Sequence, residues 1–87
     1  MLSFSNFRFV IFVKQIFLPM KKRILNRIKA VLAEEGKTNK DLAEQLNVAE
    51  PTVSRWCTNT QQPSIETLFD IAWVLKRDVR DFLVSNR

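Results

Sequence analysis

The sequence predicts an all-α domain of five short helices that spans residues 20–87. Apolar residues recur at helical spacing in five segments, and Pro, Gly and capping residues separate these segments. The chain has 87 residues, which is enough for one small domain without room for a second hydrophobic core. A compact helical domain with one core is therefore the expected architecture.

The composition indicates binding rather than catalysis. The chain contains 14 basic and nine acidic residues, so it carries a formal net charge of +5. It has no His and a single Cys, which excludes a zinc site of the Cys/His kind, a His-based acid–base pair and an internal disulfide. Its single Gly excludes a Gly-rich phosphate-binding loop. We therefore expect no enzymatic activity, no metal, no cofactor and a reducing compartment.

Residues 1–19 differ in composition from the rest of the chain. Twelve of them are apolar and none is acidic, but Arg8 and Lys14 interrupt the apolar run. The run is therefore too short for a transmembrane helix, and it lacks the cleavage pattern of a signal peptide. Two interpretations stay open. Either Met20 is the natural start and the extension has no role, or residues 1–19 form an arm that packs on the domain or pairs with its copy.

The first two helices are predicted from their apolar spacing and their end signals. The first spans residues 21–35 and ends at Gly36, which tolerates a left-handed backbone. The second spans residues 38–46 and begins at a capping box formed by Thr38 and Asp41. The expected core residues of these two helices are Ile24, Leu25, Ile28, Val31, Leu32, Leu42, Ala43 and Leu46.

The last three helices follow the turn at residues 47–48. The third spans residues 50–57 and carries Pro51 in its first turn, where a missing N–H is no loss. The fourth opens at Pro63 and Ser64, and the fifth is a short helix with Asp78 and Asp81 as a second capping pair. The expected core residues here are Val53, Trp56, Ile65, Leu68, Ile71, Ala72, Leu75, Val79, Phe82 and Leu83.

The second and third helices, joined by a tight turn, match a helix-turn-helix. In this motif the second helix enters the major groove of DNA while the first lies across the backbone. Ala43 is small enough to let the two helices cross closely, and Val53 and Trp56 anchor the second helix to the core. The opposite face of that helix is therefore predicted to point outward.

Residues 21–83 resemble the lambda-repressor/Cro-type (XRE-type) helix-turn-helix family. The matching segments are Gly36-x-Thr38-x-x-x-Leu42-Ala43-x-x-Leu46-x-Val48, Pro51-Thr52-Val53-Ser54-Arg55-Trp56, Pro63-Ser64-x-x-Thr67-Leu68 and Val79-x-Asp81-Phe82-Leu83. The resemblance implies a five-helix lambda-repressor-like domain that binds near-palindromic operator DNA, usually as a dimer. It further implies a bacterial or phage transcription regulator, such as a repressor, in the cytoplasm at the nucleoid.

The resemblance also implies which residues contact DNA. Base-reading positions fall on Glu50, Pro51, Thr52 and Arg55, and backbone-contacting positions on Thr38, Asn39, Lys40, Thr58, Asn59 and Thr60. Arg55 has the chemistry to bond guanine O6 and N7, with a phosphate contact or a solvated side chain as the alternatives. Glu50 either accepts from cytosine N4, disfavours other bases or serves only the helix N-terminus.

Four positions depart from the family pattern. Ala49 stands where a Ser or Thr cap is preferred, so the start of the third helix is predicted to be weakened. Leu32 and Cys57 occupy positions where many relatives have a paired Arg and Glu, and Cys57 is therefore interpreted as a small core residue. Asn59 replaces a frequent Gly and is expected in a left-handed conformation.

Phe69 and Trp73 lie four residues apart, off the predicted core face of the fourth helix. They indicate a homodimer contact, a surface for the 1–19 arm, or simple burial at the edge of the core. An antitoxin that masks a toxin protein and autoregulates through the same domain is the alternative function. A second alternative function, less favoured by the sequence, is a regulator that residues 1–19 hold at a membrane.

Overall fold

The computed structural model describes residues 23–86, which form four α-helices and a 3-10 helix. Helix α1 spans Ile28–Glu34, α2 spans Asn39–Leu46, α3 spans Glu50–Cys57, α4 spans Ile65–Leu75, and the 3-10 helix spans Val79–Phe82. Within these residues, β-pairing is limited to one antiparallel bridge between Asn26 and Leu83. The all-α prediction is confirmed, although the fifth helix is of the 3-10 type. The expectations for residues 1–19 lie outside the described residues.

The core lies where the helices of the helix-turn-helix meet their neighbours. Helix α2 packs on α3 and α4, while α1 packs on α3 and on the 3-10 helix, which also contacts α4. Phe82, at the end of the 3-10 helix, is completely buried. The buried apolar residues are Ile28, Val31, Leu32, Leu42, Ala43, Val53, Trp56, Cys57, Leu68, Ile71, Ala72, Leu75 and Phe82.

The start of α1 corrects the sequence prediction, which began this helix at residue 21. The N–H of Arg27 donates to the carbonyl of Phe82 at 2.8 Å, and the N–H of Val84 donates to the carbonyl of Leu25 at 3.0 Å. This pairing ties residues 25–27 to residues 82–84, and the helix begins only at Ile28. Ile24 and Leu25 were expected in the core, but they are 59% and 41% exposed.

Two further expected core residues are also exposed. Ile65, the first residue of α4, is 72% exposed, and Leu83, just after the 3-10 helix, is 48% exposed. The buried face of α4 consists of Leu68, Ile71, Ala72 and Leu75. Apolar spacing therefore identified α4 correctly but assigned one residue too many to its inner face.

The helix ends follow the capping signals in the sequence. The Thr38 hydroxyl accepts from the Asp41 N–H at 3.1 Å, and the Asp41 carboxylate accepts from the Thr38 N–H at 2.9 Å, so the predicted capping box is confirmed. The bonds from Thr38 lower the pKa of Asp41 below its ordinary value of 3.8. Ser64 caps α4 by accepting from the Thr67 N–H at 3.1 Å. Helix α3 has no side-chain cap at Ala49, as predicted.

Asp81 is not a capping residue, because its carboxylate accepts from Arg77 Nε at 3.1 Å. Arg77 also bonds Glu35 at 2.8 Å and Glu34 at 2.9 Å, which ties the end of α1 to the segment after α4. These bonds, first among them the one to Glu35, raise the pKa of Arg77. The partners are more than 40 residues apart in the chain, and no local signal predicts them.

Asp78 begins the 3-10 helix and is strongly bound to Arg80. Its carboxylate accepts from the Arg80 N–H at 2.8 Å and from the Arg80 guanidinium at 2.8 and 3.0 Å. These hydrogen bonds, the guanidinium contacts first, lower the pKa of Asp78 from 3.8 to about 2. Because the ionised form is the one stabilised, its contribution is complete well above pH 3.8 and is lost as the pH falls towards about 2.

Asp78→Asn tests this linkage, because Asn retains an acceptor for the Arg80 N–H but carries no charge. As the pH is lowered from about 5 to about 2, we expect the free energy of unfolding of the wild type to fall more steeply than that of the variant. Denaturant unfolding at a series of pH values gives both slopes. Parallel curves would contradict a lowered Asp78 pKa.

Candidate nucleic-acid interface

Helix α3 presents a polar face because its apolar face is fixed in the core. Val53 is fully buried and Trp56 is 5% exposed. Of the predicted base-reading residues, Glu50, Pro51 and Arg55 are exposed and Thr52 is half-buried. The packing therefore leaves the guanidinium of Arg55 and the hydroxyl of Thr52 on the outer surface, within 3.3 Å of each other.

A polar loop follows α3 and folds back onto its last turn. The N–H groups of Thr60 and Gln61 both donate to the carbonyl of Arg55, at 3.0 and 3.2 Å. The hydroxyls of Thr58 and Thr60 are 2.8 Å apart, and both residues are exposed. The Gln61 side chain accepts from Arg55 Nε at 2.9 Å. Gln61 was not among the predicted site residues, and an exposed loop Gln gives no distinctive sequence signal.

The first turn of α2 lies against the last turn of α3. The Cys57 thiol donates to Asn39 Oδ1 at 3.3 Å, which brings the predicted backbone contacts at 38–40 next to those at 58–60. Thr38 is engaged in its capping box, but the N–H groups of Asn39 and Lys40 have no acceptor within the described residues. Free N–H groups at a helix N-terminus favour an anion. The two predicted sets therefore form one surface.

Asn59 departs from this surface, which corrects its prediction as a DNA-backbone contact. Its φ is 59°, the left-handed conformation expected from the sequence, but its side chain points inward and the residue is 7% exposed. Asn59 Oδ1 accepts from the N–H groups of Leu25 and Asn26 at 2.8 and 2.9 Å. These internal bonds withdraw the side chain from any phosphate.

Asn59 belongs to a set of three bonded amide side chains, the buried Asn26 and Asn59 and the exposed Gln62, here called the amide cluster. Asn26 is 4% exposed and donates to the carbonyl of Trp56 at 2.9 Å and to Gln62 Oε1 at 2.7 Å. Its own Oδ1 accepts from the N–H of Ile28 at 3.0 Å, at the start of α1. This cluster was not predicted from the sequence, although the polar Asn26 between Leu25 and Ile28, in a predicted core face, was a signal for it.

The positive charge of this surface depends on which of its cations form ion pairs. The chain carries a net charge of +5, and nine of its 14 basic residues lie among residues 23–86. Ion pairs within this part of the chain use Arg27, Arg77 and Arg80. The cations near the helix-turn-helix remain without a carboxylate partner among the described residues: Lys29, Lys37, Lys40 and Arg55. Positive charge is therefore available where α2 and α3 meet.

Lys29 is a cation that the sequence analysis did not assign to the interface. It lies close enough to Cys57 to oppose the rise in that thiol's pKa, which burial causes. Cys57 is 8% exposed and Leu32 is 3% exposed, so both occupy the core as predicted. The raised pKa keeps the thiol protonated at neutral pH, in agreement with a core residue.

A family model for the helix-turn-helix matches residues 28–82. This chain belongs to the helix-turn-helix family. The match confirms the predicted resemblance to the XRE type and covers α1 to the 3-10 helix. A crystal structure of a "putative DNA-binding protein from Bacteroides fragilis" is similar, with 50% sequence identity and a TM-score of 0.68. The similarity covers 69% of this chain and 97% of that one. No curated protein matches the chain.

This helix-turn-helix domain carries an apolar stripe on the outside of α4, formed by Ile65, Phe69 and Trp73. The three residues are 72%, 57% and 83% exposed, so the alternative of simple burial at the edge of the core is wrong for Phe69 and Trp73. Their spacing of four residues places them along one side of the helix. The acidic residues Glu66 and Asp70 lie beside them on α4.

Among residues 23–86 there is no group of acidic and Cys side chains that could hold a metal ion. No helix in the same range is long and apolar enough to cross a membrane.

The amide cluster predicts that glycine at position 59 destabilises the domain, although glycine normally suits a left-handed backbone. Asn59→Gly relieves the left-handed backbone but leaves the buried N–H of Asn26 and the part-buried N–H of Leu25 without an acceptor. We expect it to lower the free energy of unfolding by about 2–4 kcal/mol, as measured by denaturant unfolding. Asn47→Gly is the matched control, because Asn47 also has a positive φ, of 57°, but is exposed. Equal effects of the two substitutions would contradict the proposed role of the cluster.

Proposed function

We propose that this chain is a sequence-specific double-stranded DNA-binding regulator of transcription that inserts α3 into the major groove. The observation that carries the proposal is the division of α3 into two faces. Val53 and Trp56 are buried, while Arg55 is exposed beside Thr52. An α-helix with its side chains is about 10–12 Å across and the major groove is about 12 Å wide, so α3 fits within it.

Base recognition is assigned to the outward side chains of α3. Arg55 offers a planar pair of N–H donors that matches guanine O6 and N7. Thr52 offers a hydroxyl and a methyl group, which suit a base acceptor and the thymine methyl. Glu50 lies exposed in the first turn of α3, where it repels phosphates and so favours a cytosine N4 donor over other neighbours.

Phosphate binding is assigned to the junction of α2 and α3. The unbonded N–H groups of Asn39 and Lys40 supply a helix N-terminus, and the Thr58 and Thr60 hydroxyls lie after α3. Lys29, Lys37 and Lys40 add positive charge, although Asp41 in the capping box offsets part of it. Because residues 20–87 contain 12 basic and nine acidic residues, a net charge of +3, we expect binding to non-specific DNA to be salt-sensitive but not strong.

Two substitutions separate base recognition from phosphate binding. We expect Arg55→Ala to reduce the preference for one base pair by about tenfold or more, because a bidentate contact contributes about 1–3 kcal/mol of discrimination. We expect Lys40→Ala to weaken binding to all duplexes about equally and to reduce the salt slope by about one. Selection of sites from random duplexes, followed by titrations at several salt concentrations, measures both effects.

The two variants are also each other's controls. Both residues are exposed, so neither substitution is expected to change the melting temperature appreciably. If both variants bind every duplex as the wild type does, α3 is not the recognition helix of this protein.

We further propose that the chain binds a near-palindromic operator as a homodimer and that the apolar stripe of α4 is the contact. Three large apolar side chains exposed along one helix are unusual on a monomer surface and favour a protein partner. The stripe extends about 12 Å along α4, since its ends are eight residues apart. A two-fold dimer would place its two recognition helices about 34–36 Å apart, on successive major grooves.

Trp73→Lys tests the dimer contact. Trp73 is 83% exposed, so the substitution should leave the fold intact. We expect it to weaken dimerisation by at least tenfold, because burial of one large apolar side chain contributes about 1.5–3 kcal/mol and each copy loses it. Analytical ultracentrifugation of the purified chain measures the change.

Ala33→Lys is the control, because Ala33 is exposed on α1 and the change adds the same charge. A wild-type chain that stays monomeric at all concentrations would refute the dimer. That outcome, together with a toxin protein that copurifies with the wild type but not with Trp73→Lys, would favour the antitoxin alternative.

A further inference from the structure

We propose that Gln61 is a positioning residue that determines which edge of the Arg55 guanidinium faces DNA, and thereby the base that Arg55 prefers. The proposal rests on the proposed function, in which Arg55 reads a base. Gln61 lies in the loop after α3 and is not one of the residues expected to contact DNA. Its role is to hold Arg55 rather than to touch the nucleic acid.

The hydrogen bonds occupy one edge of the guanidinium. Arg55 Nε donates to Gln61 Oε1 at 2.9 Å, and Arg55 Nη2 donates to Thr52 Oγ1 at 3.3 Å. These two donors belong to the side edge of the planar group. Nη1 and Nη2 together form the end edge, and Nη1 makes no hydrogen bond within the described residues. Two parallel donors on that edge match the paired acceptors of guanine.

The loop that presents Gln61 is itself anchored to the residue that Gln61 holds. The carbonyl of Arg55 accepts from the N–H groups of Thr60 and Gln61 and from the Thr58 hydroxyl, at 3.0, 3.2 and 3.3 Å. Asn59, in the middle of this loop, is fixed because its Oδ1 accepts from the N–H groups of Leu25 and Asn26. The backbone of Gln61 is therefore fixed by its own bond to Arg55 and by the bonds of Asn59. The Gln61 side chain lies within hydrogen-bond distance of Arg55 Nε.

This arrangement reduces the conformational freedom that Arg55 must lose on binding. A free Arg side chain has many rotamers, and ordering it opposes association. Bonds to Gln61 and Thr52 place the end edge outward before DNA arrives. Thr52 accepts from Arg55 through its oxygen, so its hydroxyl hydrogen remains available to donate to a base or phosphate acceptor.

The experiment compares Gln61→Leu, which removes the acceptor, with Gln61→Glu, which retains one. The full chain is titrated with its selected duplex and with duplexes changed at the base pair where Arg55→Ala loses its preference. We expect Gln61→Leu to reduce that preference by about three- to tenfold, without a change in melting temperature or in affinity for unrelated DNA. We expect Gln61→Glu to retain the preference while binding all duplexes more weakly, because it adds a negative charge.

A second measurement examines the protein without DNA. In the wild type, the Arg55 Nε–H should exchange slowly with solvent in nuclear magnetic resonance spectra, because Gln61 accepts its hydrogen bond. Gln61→Leu should accelerate this exchange, whereas Gln61→Glu should keep it slow. Exchange that is equally fast in all three proteins would show that the bond does not persist in solution and would overturn the proposal.

The outcomes separate this inference from the proposed function. If Arg55→Ala loses the base preference and Gln61→Leu keeps it, Gln61 does not position Arg55, although the proposed function stands. If Gln61→Leu lowers the melting temperature and weakens binding to all duplexes alike, Gln61 has only a structural role and the inference fails. If the wild type prefers no duplex over any other, the proposed function and the inference fail together.

Discussion

The buried hydrogen bonds of Asn26 connect the start of α1 to the end of α3, which lies 30 residues further along the chain. Its amide nitrogen bonds the carbonyl of Trp56 at the end of α3, and its amide oxygen bonds the N–H of Ile28 at the start of α1. Buried polar groups without partners are costly, so these bonds permit only one relative placement of the two helices. The face that α3 exposes depends on that placement. Rotation of α3 about its axis would break the hydrogen bond between the Asn26 side chain and the Trp56 carbonyl.

The helix-turn-helix could be predicted because its signals are local. The capping box at Thr38, the Pro in the first turn of α3 and the inward spacing of Val53 and Trp56 each involve residues within one helix turn. Capping residues and Pro act on the backbone of their own helix, so these signals depend little on distant parts of the chain. The bounds of α2 and α3 agree with the sequence prediction to within one residue for this reason.

The errors share a different physical origin. Ile24, Leu25 and Ile65 fit a helical apolar pattern, but a pattern states only that a residue is apolar and not what covers it. The pairing of residues 25–27 with residues 82–84 and the Arg77 ion pairs connect distant parts of the chain. Asn59 was placed correctly in its left-handed conformation, but its partners could not be known before Leu25 and Asn26 were placed beside it.

The two ends of α3 differ in how firmly they are held. Its last turn is fastened through the Trp56 carbonyl and the returning loop, whereas its first turn begins at Ala49 with no side-chain cap. Local opening starts where backbone groups lack partners. The turn that carries Glu50 and Pro51 is therefore the more adaptable part of α3. A helix that is held at its last turn and less constrained at its first turn can adjust that first turn to the width of a DNA groove while its axis stays in place.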